Sequence, residues 1–392
     1  MVVGMIIDEV EIHEFVYRLE NVGTRDGHQV YERGNMLEQP GFVLTIRTDT
    51  GIEGHYRGFM QVPPMVTQIE MATPEFLIGA DPLERERIWQ QLWQAFRHTD
   101  HLGMGPIDIA LWDLAGTYYE ESISTLLGGY RERIPAYAST AHPDEEPDGL
   151  DSAEAYADYA EACLEDGYSG FKIHPWGDSQ KDIELCRAVA DRVGDRMDLM
   201  LDPASEYEIY TDAIRVGTVL DELGFYWYED PLADTGQSGY STGKLADELS
   251  TPILGCEHVR SGPFGRADHL RSGWLDLVRG DAHLDGGITG VMKIARLAEA
   301  FGIDVELHVG GPAHLHCLSA IRNNTYHEHG LLHPEFDWMT ERGFDGDVER
   351  LEDGSVGVPS GPGLGVEIDW GYVRENQTEH TVIDQAGTSG LN

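Results

Sequence analysis

Seven polar residues close a series of short apolar runs. They are Lys172 and His174 in GFKIH, Asp202 in DLMLD, Glu229 in FYWYE, Glu257 in PILGCE, Asp281 in LDLVRGD and His308 in IDVELH. Asp202, Glu229 and Glu257 are carboxylates on consecutive runs. Such a set suits a hard cation such as Mg²⁺, held by a few protein oxygens with positions left for water and a ligand. Any one of them alone reads as a solvated acid, because the chain carries 70 Asp and Glu; their shared placement sets them apart. Lys172 and His174 are two residues apart, which on a strand puts both on one face. Beside a divalent cation in a dry pocket the ammonium form of Lys172 is disfavoured, making it a base near neutral pH; the alternative is a fixed counter-charge for the carboxylates. His174 is either a second acid/base or a structural or ligand-contacting residue. Asp281 and His308 form a carboxylate–imidazole pair in which the acid fixes the tautomer and raises basicity; otherwise His308 is a satisfied core histidine. Glu328, in TYHEHG, donates to a ligand carboxylate if protonated, and is otherwise a loop acid.

The elements that must position these groups follow from their spacing. From Lys172 to His308 the successive steps are 30, 27, 28, 24 and 27 residues, the length of a strand plus a helix in a repeating βα unit. From residue 131 onward, apolar strands alternate with amphipathic helices: IPAYAS, helix 152–166, GFKIH, helix 179–193, LMLD, helix 208–223, FYWYE and on. Strands are expected near 134, 171, 198, 226, 253, 276, 304 and 320, parallel to one another. A closed barrel suits them better than an open sheet, because the polar residues must converge on one centre, and a barrel keeps its chemistry at the rim where its strands end.

The first 130 or so residues differ, with strands at 5–17 and 41–48 followed by helices at 83–97 and 105–120. The expected organisation is an α+β capping domain over 1–130, the barrel over 131–350, a Gly- and Pro-rich segment returning to the cap over 351–374, and a polar tail over 375–392 that frays. Cap loops near 20–35 and 54–60 should fold over the barrel mouth, offering Tyr31, Arg33, His55, Tyr56 and Arg57 as ligand contacts.

Charge narrows the function classes. The chain of 392 residues has a formal net charge of −43, with 27 Lys and Arg. Self-repulsion of this size destabilises a compact state unless salt screens it, so we read a solvated surface suited to high salt. Nucleic acid is excluded as a partner, since phosphate binding needs clustered basic residues. Cys163, Cys186, Cys256 and Cys317 have no CxxC spacing and read as free thiols in a reducing cytoplasm. The N-terminus lacks a basic n-region, and no apolar run is long enough to span a membrane. There is no HExxH or Cys/His zinc spacing and no GxSxG; GPGLG lacks the strand–helix context of a nucleotide loop.

The chain resembles the enolase superfamily, in its mandelate racemase-like branch. The segments that carry the likeness are GPIDIALWDLAG (105–116), FKIH (171–174), LMLDPAS (199–205), WYEDP (227–231), CEH (256–258), GDAHLDGGITG (280–290), ELH (306–308) and GPGLGVEID (361–369), in the family's order. The resemblance implies a modified (β/α)7β TIM barrel with an N-terminal α+β capping domain, in the α/β class. It implies Asp202, Glu229 and Glu257 as ligands of one Mg²⁺ per subunit, Asp281 and His308 as a catalytic dyad, and Glu328 as the acid facing the substrate carboxylate. Lys172 corresponds to the first lysine of a Lys-x-Lys motif, and His174 stands where the second lysine would. The implied reaction removes the proton α to a carboxylate through an enediolate. The expected protein is a haloarchaeal, homo-oligomeric acid-sugar (aldonate or aldarate) dehydratase that eliminates the 3-hydroxyl to give a 2-keto-3-deoxy acid. A racemase, epimerase or cycloisomerase would share the first step, and a metal-binding homologue without activity would share only the site.

Overall fold

A computed structural model describes residues 4–25, 27–337 and 343–391. The N-terminal sheet is built on β1 (Ile7–Arg25) and β2 (His28–Thr48), which pair antiparallel from Ile7↔Thr48 out to Arg25↔His28, with β3 (Glu53–Gly58) antiparallel to β2. The segments expected as loops near 20–35 and 54–60 are therefore largely strand. Four helices follow: α1 (Val62–Ala72), α2 (Arg85–Ala95), α3 (Met104–Tyr119) and α4 (Ile123–Leu127). Helix α3 is apolar nearly all round because it is sandwiched between sheet and barrel. Two glycines allow this. A Cβ on Gly54 would lie 2.2 Å from the Ala110 carbonyl of α3, and one on Gly105 of α3 would lie 2.1 Å from the His283 carbonyl.

The second unit alternates strand and helix: β4 (Arg133–Thr140), α5 (Ala153–Glu165), β5 (Gly170–Ile173), α6 (Ser179–Val193), β6 (Asp198–Leu201), α7 (Tyr210–Leu223), β7 (Trp227–Glu229), α8 (Tyr240–Glu248), β8 (Ile253–Gly255), α9 (Gly262–Ser272), β9 (Leu277–Gly280), α10 (Gly287–Phe301), β10 (Asp304–Leu307), α11 (Pro312–Ala320) and β11 (His327–Leu332). Strands β4 to β10 pair in sequence order, all parallel, and β11 returns to pair parallel with β4. This is a (β/α)7β barrel. Local chemistry sets its helix ends: the Ser152 hydroxyl accepts from the Ala155 N–H at 3.3 Å to start α5, and Gly167, at φ +103°, lies just past its end.

Two expectations are corrected. The last strand lies at 327–332, not near 320; residues 312–320 are α11, buried along its whole length and so without the polar face that marks a helix. Nor does the C-terminus fray. After β12 (Leu351–Glu352), β13 (Ser355–Gly357) and α12 (Trp370–Glu375), strands β14 (Gln377–Asp384) and β15 (Gly387–Leu391) join the cap sheet, giving the order β15-β14-β1-β2-β3. β14 covers the edge that β1 would otherwise expose.

One apolar cluster runs from the cap helices through the barrel helices. A second plugs the barrel interior with Tyr137, Met200, Trp227, Leu254, Leu277 and Tyr326. The four cysteines are buried and unpaired. Among the described residues no helix is long and apolar enough to cross a membrane.

Candidate active site

The interior plug sets the site above it, because strand side chains alternate. Two residues beyond Met200, Trp227 and Tyr326 stand Asp202, Glu229 and Glu328; two and four beyond Leu277 stand Arg279 and Asp281; two beyond Lys172 stands His174. All of these side chains are buried. Glu257 breaks the alternation, being three residues past the interior Leu254. Cys256 makes up the difference by adopting φ +79°, a left-handed conformation that costs a non-glycine residue about 1–3 kcal/mol. The Asp230 carboxylate holds this bend, accepting from the N–H groups of Cys256 at 3.3 Å and Glu257 at 2.9 Å. Burial raises the Asp230 pKa to about 6.

Asp202, Glu229 and Glu257 each present an oxygen within 4.8 Å of the other two. All donors are hard oxygens, and Glu257 keeps 13% of its side chain exposed toward the mouth. The set fits a small divalent cation with open positions.

Beneath the triad lies a dry charged network. The Lys172 ammonium donates to Asp202 Oδ2 at 2.8 Å and Glu229 Oε2 at 3.2 Å, and pairs with Glu328 Oε1 at 2.9 Å. Burial opposes the charge, but the three carboxylates outweigh it and raise the Lys172 pKa well above the usual lysine range. Of the two readings of Lys172, these contacts match the fixed counter-charge for the carboxylates. Glu328, expected to donate only if protonated, is surrounded by cationic groups. Despite burial, Lys172, Arg279 and His308 hold it ionised, below the ordinary glutamate range. It accepts from the Val309 N–H at 2.6 Å and from Arg279 at 2.8 Å, so it has no proton to donate.

Arg279, fully buried, was missed in the sequence although it shares the strand face of Asp281. Its guanidinium pairs with Glu229 Oε1 at 2.7 Å and donates to Tyr137 Oη at 3.1 Å and the Leu307 carbonyl at 3.2 Å.

On one side of the triad, His308 Nδ1 donates to Asp281 Oδ2 at 2.9 Å, which leaves Nε2 facing Glu257 Oε1 at 3.4 Å. Burial lowers the His308 pKa, but the charges of Glu257 and Asp281 raise it to about 9. Asp281 is itself positioned: its Oδ1 accepts from the His283 N–H at 2.6 Å, and its own N–H donates to Asp285 at 3.0 Å. His314 is a near neighbour rather than an ion-pair partner. Its Nδ1 donates to the Val309 and Gly310 carbonyls, so Nε2 carries the lone pair and accepts from the Ala282 N–H at 2.8 Å.

On the other side, His174 Nδ1 donates to the Thr140 carbonyl at 2.6 Å, so Nε2 faces Asp202 at 3.2 Å. His142 packs on His174 at 4.7 Å between centroids, and His28 from the cap hairpin packs on His142 at 3.6 Å. Neither outer histidine was singled out in the sequence, because docking of the hairpin brings them together.

The five cap residues divide. Tyr56 Oη bonds His283 Nδ1 at 2.8 Å, next to the dyad. Arg57 lies over the rings of Tyr17 and Phe59 and, with Tyr56 and His283, lines a small cavity of about 30 Å³. Tyr31 and Arg33 instead clamp the hairpin to the loop after β4: the Tyr31 N–H donates to Asp144 at 2.6 Å, and Arg33 pairs with Asp148. His55 sits in the cap, bonded to Thr45 Oγ1 at 3.1 Å and edge-on to Trp370.

A (β/α)7β barrel with carboxylates ending successive strands, an Asp–His pair on one flank and Lys-x-His on the other defines the class. The chain belongs to the mandelate racemase/muconate lactonizing enzyme family of the enolase superfamily: residues 155–372 match the enolase C-terminal domain-like family and residues 16–128 the mandelate racemase/muconate lactonizing enzyme N-terminal domain. It is 30% identical to D-galactarolactone cycloisomerase of Agrobacterium fabrum over 97% of this chain and 100% of that protein. It is 27% identical to arabinonate dehydratase of Saccharolobus solfataricus, over 92% and 97%. The solved D-glucarate dehydratase of Agrobacterium tumefaciens, complexed with magnesium, is 34% identical and superimposes with a TM-score of 0.84 over 95% of this chain and 99% of that one.

Proposed function

We propose that this protein is a Mg²⁺-dependent acid-sugar dehydratase. The observation that carries the reading is the acidic triad flanked on opposite sides by two imidazoles, each with its Nδ1 proton engaged and its Nε2 turned inward. Asp202, Glu229 and Glu257 would hold the cation, which when bound would stabilise negative charge developing on the substrate carboxylate. In its neutral form, whose share grows with pH because Glu257 and Asp281 raise its pKa to about 9, His308 Nε2 takes the proton from the carbon α to that carboxylate, and Asp281 steadies the resulting imidazolium. The Lys172 ammonium, once its acceptors are engaged elsewhere, or His174 when both ring nitrogens are protonated, delivers a proton to the departing 3-hydroxyl, which leaves as water. The enol that remains ketonises to a 2-keto-3-deoxy acid. Opposed flanks also allow the two roles to be exchanged, according to the configuration at C2. Arg279 and Lys172 hold Glu328 and Glu229 in place from below. The protein works in a salt-rich cytoplasm, a reading supported by its charge of −43.

The test is a screen of aldonates and aldarates for 2-keto-3-deoxy acid formation at molar KCl with Mg²⁺. Keto-acid formation from at least one is expected; isomerised or lactone-opened product without any keto acid would instead support a cycloisomerase, the reading favoured by the full-length similarity to D-galactarolactone cycloisomerase.

A further inference from the structure

The cap sheet carries a second group of ligand-type side chains, away from the barrel mouth. His13 on β1 lies directly opposite His380 on β14 in the antiparallel pair. Glu11, two residues before His13, shares its face. One donor atom from each of the three lies within 4.8 Å of the others, and the group opens into a recess also lined by Arg47, Trp370 and Gln377.

The hydrogen bonds leave two ring nitrogens of this group available to a cation. His13 Nδ1 lies 2.8 Å from Gln377 Oε1. An amide oxygen only accepts, so Nδ1 bears the proton. His13 Nε2 then faces Glu11 Oε2 at 3.4 Å. A bare lone pair aimed at a carboxylate oxygen is repulsive, so the contact calls for either a second ring proton or a metal ion between the two atoms. Arg47 does not supply it, because it donates to the other oxygen, Glu11 Oε1, at 3.1 Å. His380 Nε2 is buried with no hydrogen-bond partner.

We propose that Glu11, His13 and His380 bind a divalent cation of the Zn²⁺, Ni²⁺ or Co²⁺ class, separate from the barrel carboxylates. Two imidazole nitrogens and one carboxylate suit these ions, whereas Mg²⁺ keeps to oxygen. Gln377 acts as the outer acceptor that orients a ligating imidazole. The His13 and His380 rings now stack at 4.0 Å and 13°, so ion binding exchanges that stack for coordination by both rings. The ion would staple β14, and with it the C-terminal hairpin, to β1.

The test uses the full chain with Mg²⁺ saturating at molar KCl. Zn²⁺ is titrated against a chromogenic chelator, and melting is followed by circular dichroism. One Zn²⁺ per chain is expected, with a higher melting temperature. His380→Ala should weaken binding by more than about 100-fold and Gln377→Leu by about 10-fold, and neither variant should gain the thermal shift. His380 lies on a partly exposed strand position, and the Zn²⁺-free melt of each variant checks its fold. Equal Zn²⁺ binding by wild type and His380→Ala, or no binding by wild type, would overturn the proposal.

Discussion

His308 and Arg279 make separable predictions because one faces the pocket and the other lies beneath it. His308→Asn keeps the triad intact, so kcat should fall by about 10²–10⁴-fold while Mg²⁺ affinity, measured by calorimetry, stays near wild type. Arg279→Met leaves Glu229 and Glu328 buried with Lys172 as their remaining cationic partner. Stability in urea should drop by about 3–5 kcal/mol, and Arg279→Lys should recover part of it. Most of the site was legible in the sequence for a simple reason: Asp202, Glu229, Asp281 and His308 continue the inward alternation of their strands. Glu257 does not, and its position depends on the left-handed Cys256 and on Asp230, which no strand pattern announces. Arg279 obeyed the alternation, but an arginine in an acidic chain reads as a surface residue until the barrel closes around it. The sequence left the ionisation of Lys172 and Glu328 open because each depends on charges arriving from other strands.

The buried barrel strands were legible from their short apolar runs and regular spacing, and the outer helices from their period. The helices predicted at 152–166 and 179–193 are α5 and α6, each with a polar side. α11 is buried throughout, so its run PAHLHCLSA mimics a strand. The tail was misjudged because an edge position on the cap sheet suits a polar strand. Contacts between elements carry two further predictions. In Gly54→Ala the new methyl meets α3 backbone at 2.2 Å, which should cost about 1–3 kcal/mol in thermal or urea unfolding. Glu349 accepts from the Gly311 N–H at 2.6 Å and His327 Nε2 at 2.7 Å, tying the returning segment to β11 and to the start of α11. Burial opposes its charge, but His327 and these bonds lower its pKa from 4.5 to about 2. The folded-state pKa is the lower one, so this stabilisation is full above about 4.5 and is lost as pH falls toward 2. It amounts to about 3 kcal/mol at neutral pH. The stability gap between wild type and Glu349→Gln should be constant from pH 5 to 7 and close on acidification.

At the scale of the whole molecule the surface charge dominates. With 70 acidic and 27 basic side chains, the melting temperature should rise steeply as KCl goes from about 0.1 M to 1 M, where the screening length shrinks from about 10 to 3 Å. A flat profile would remove the argument for a salt-adapted surface. The same field repels an anionic substrate, so kcat/KM should also rise with salt. The central claim is that the barrel mouth removes a proton from the carbon α to a carboxylate. Its most direct test is NMR of acid sugars incubated with the protein in D₂O, Mg²⁺ and molar KCl. Deuterium should enter at C2 or at the derived C3 of a keto acid, with no incorporation when Mg²⁺ is chelated or His308 is replaced by Asn. Absence of incorporation across the whole acid-sugar set, or incorporation that survives His308→Asn at the full rate, would contradict the account.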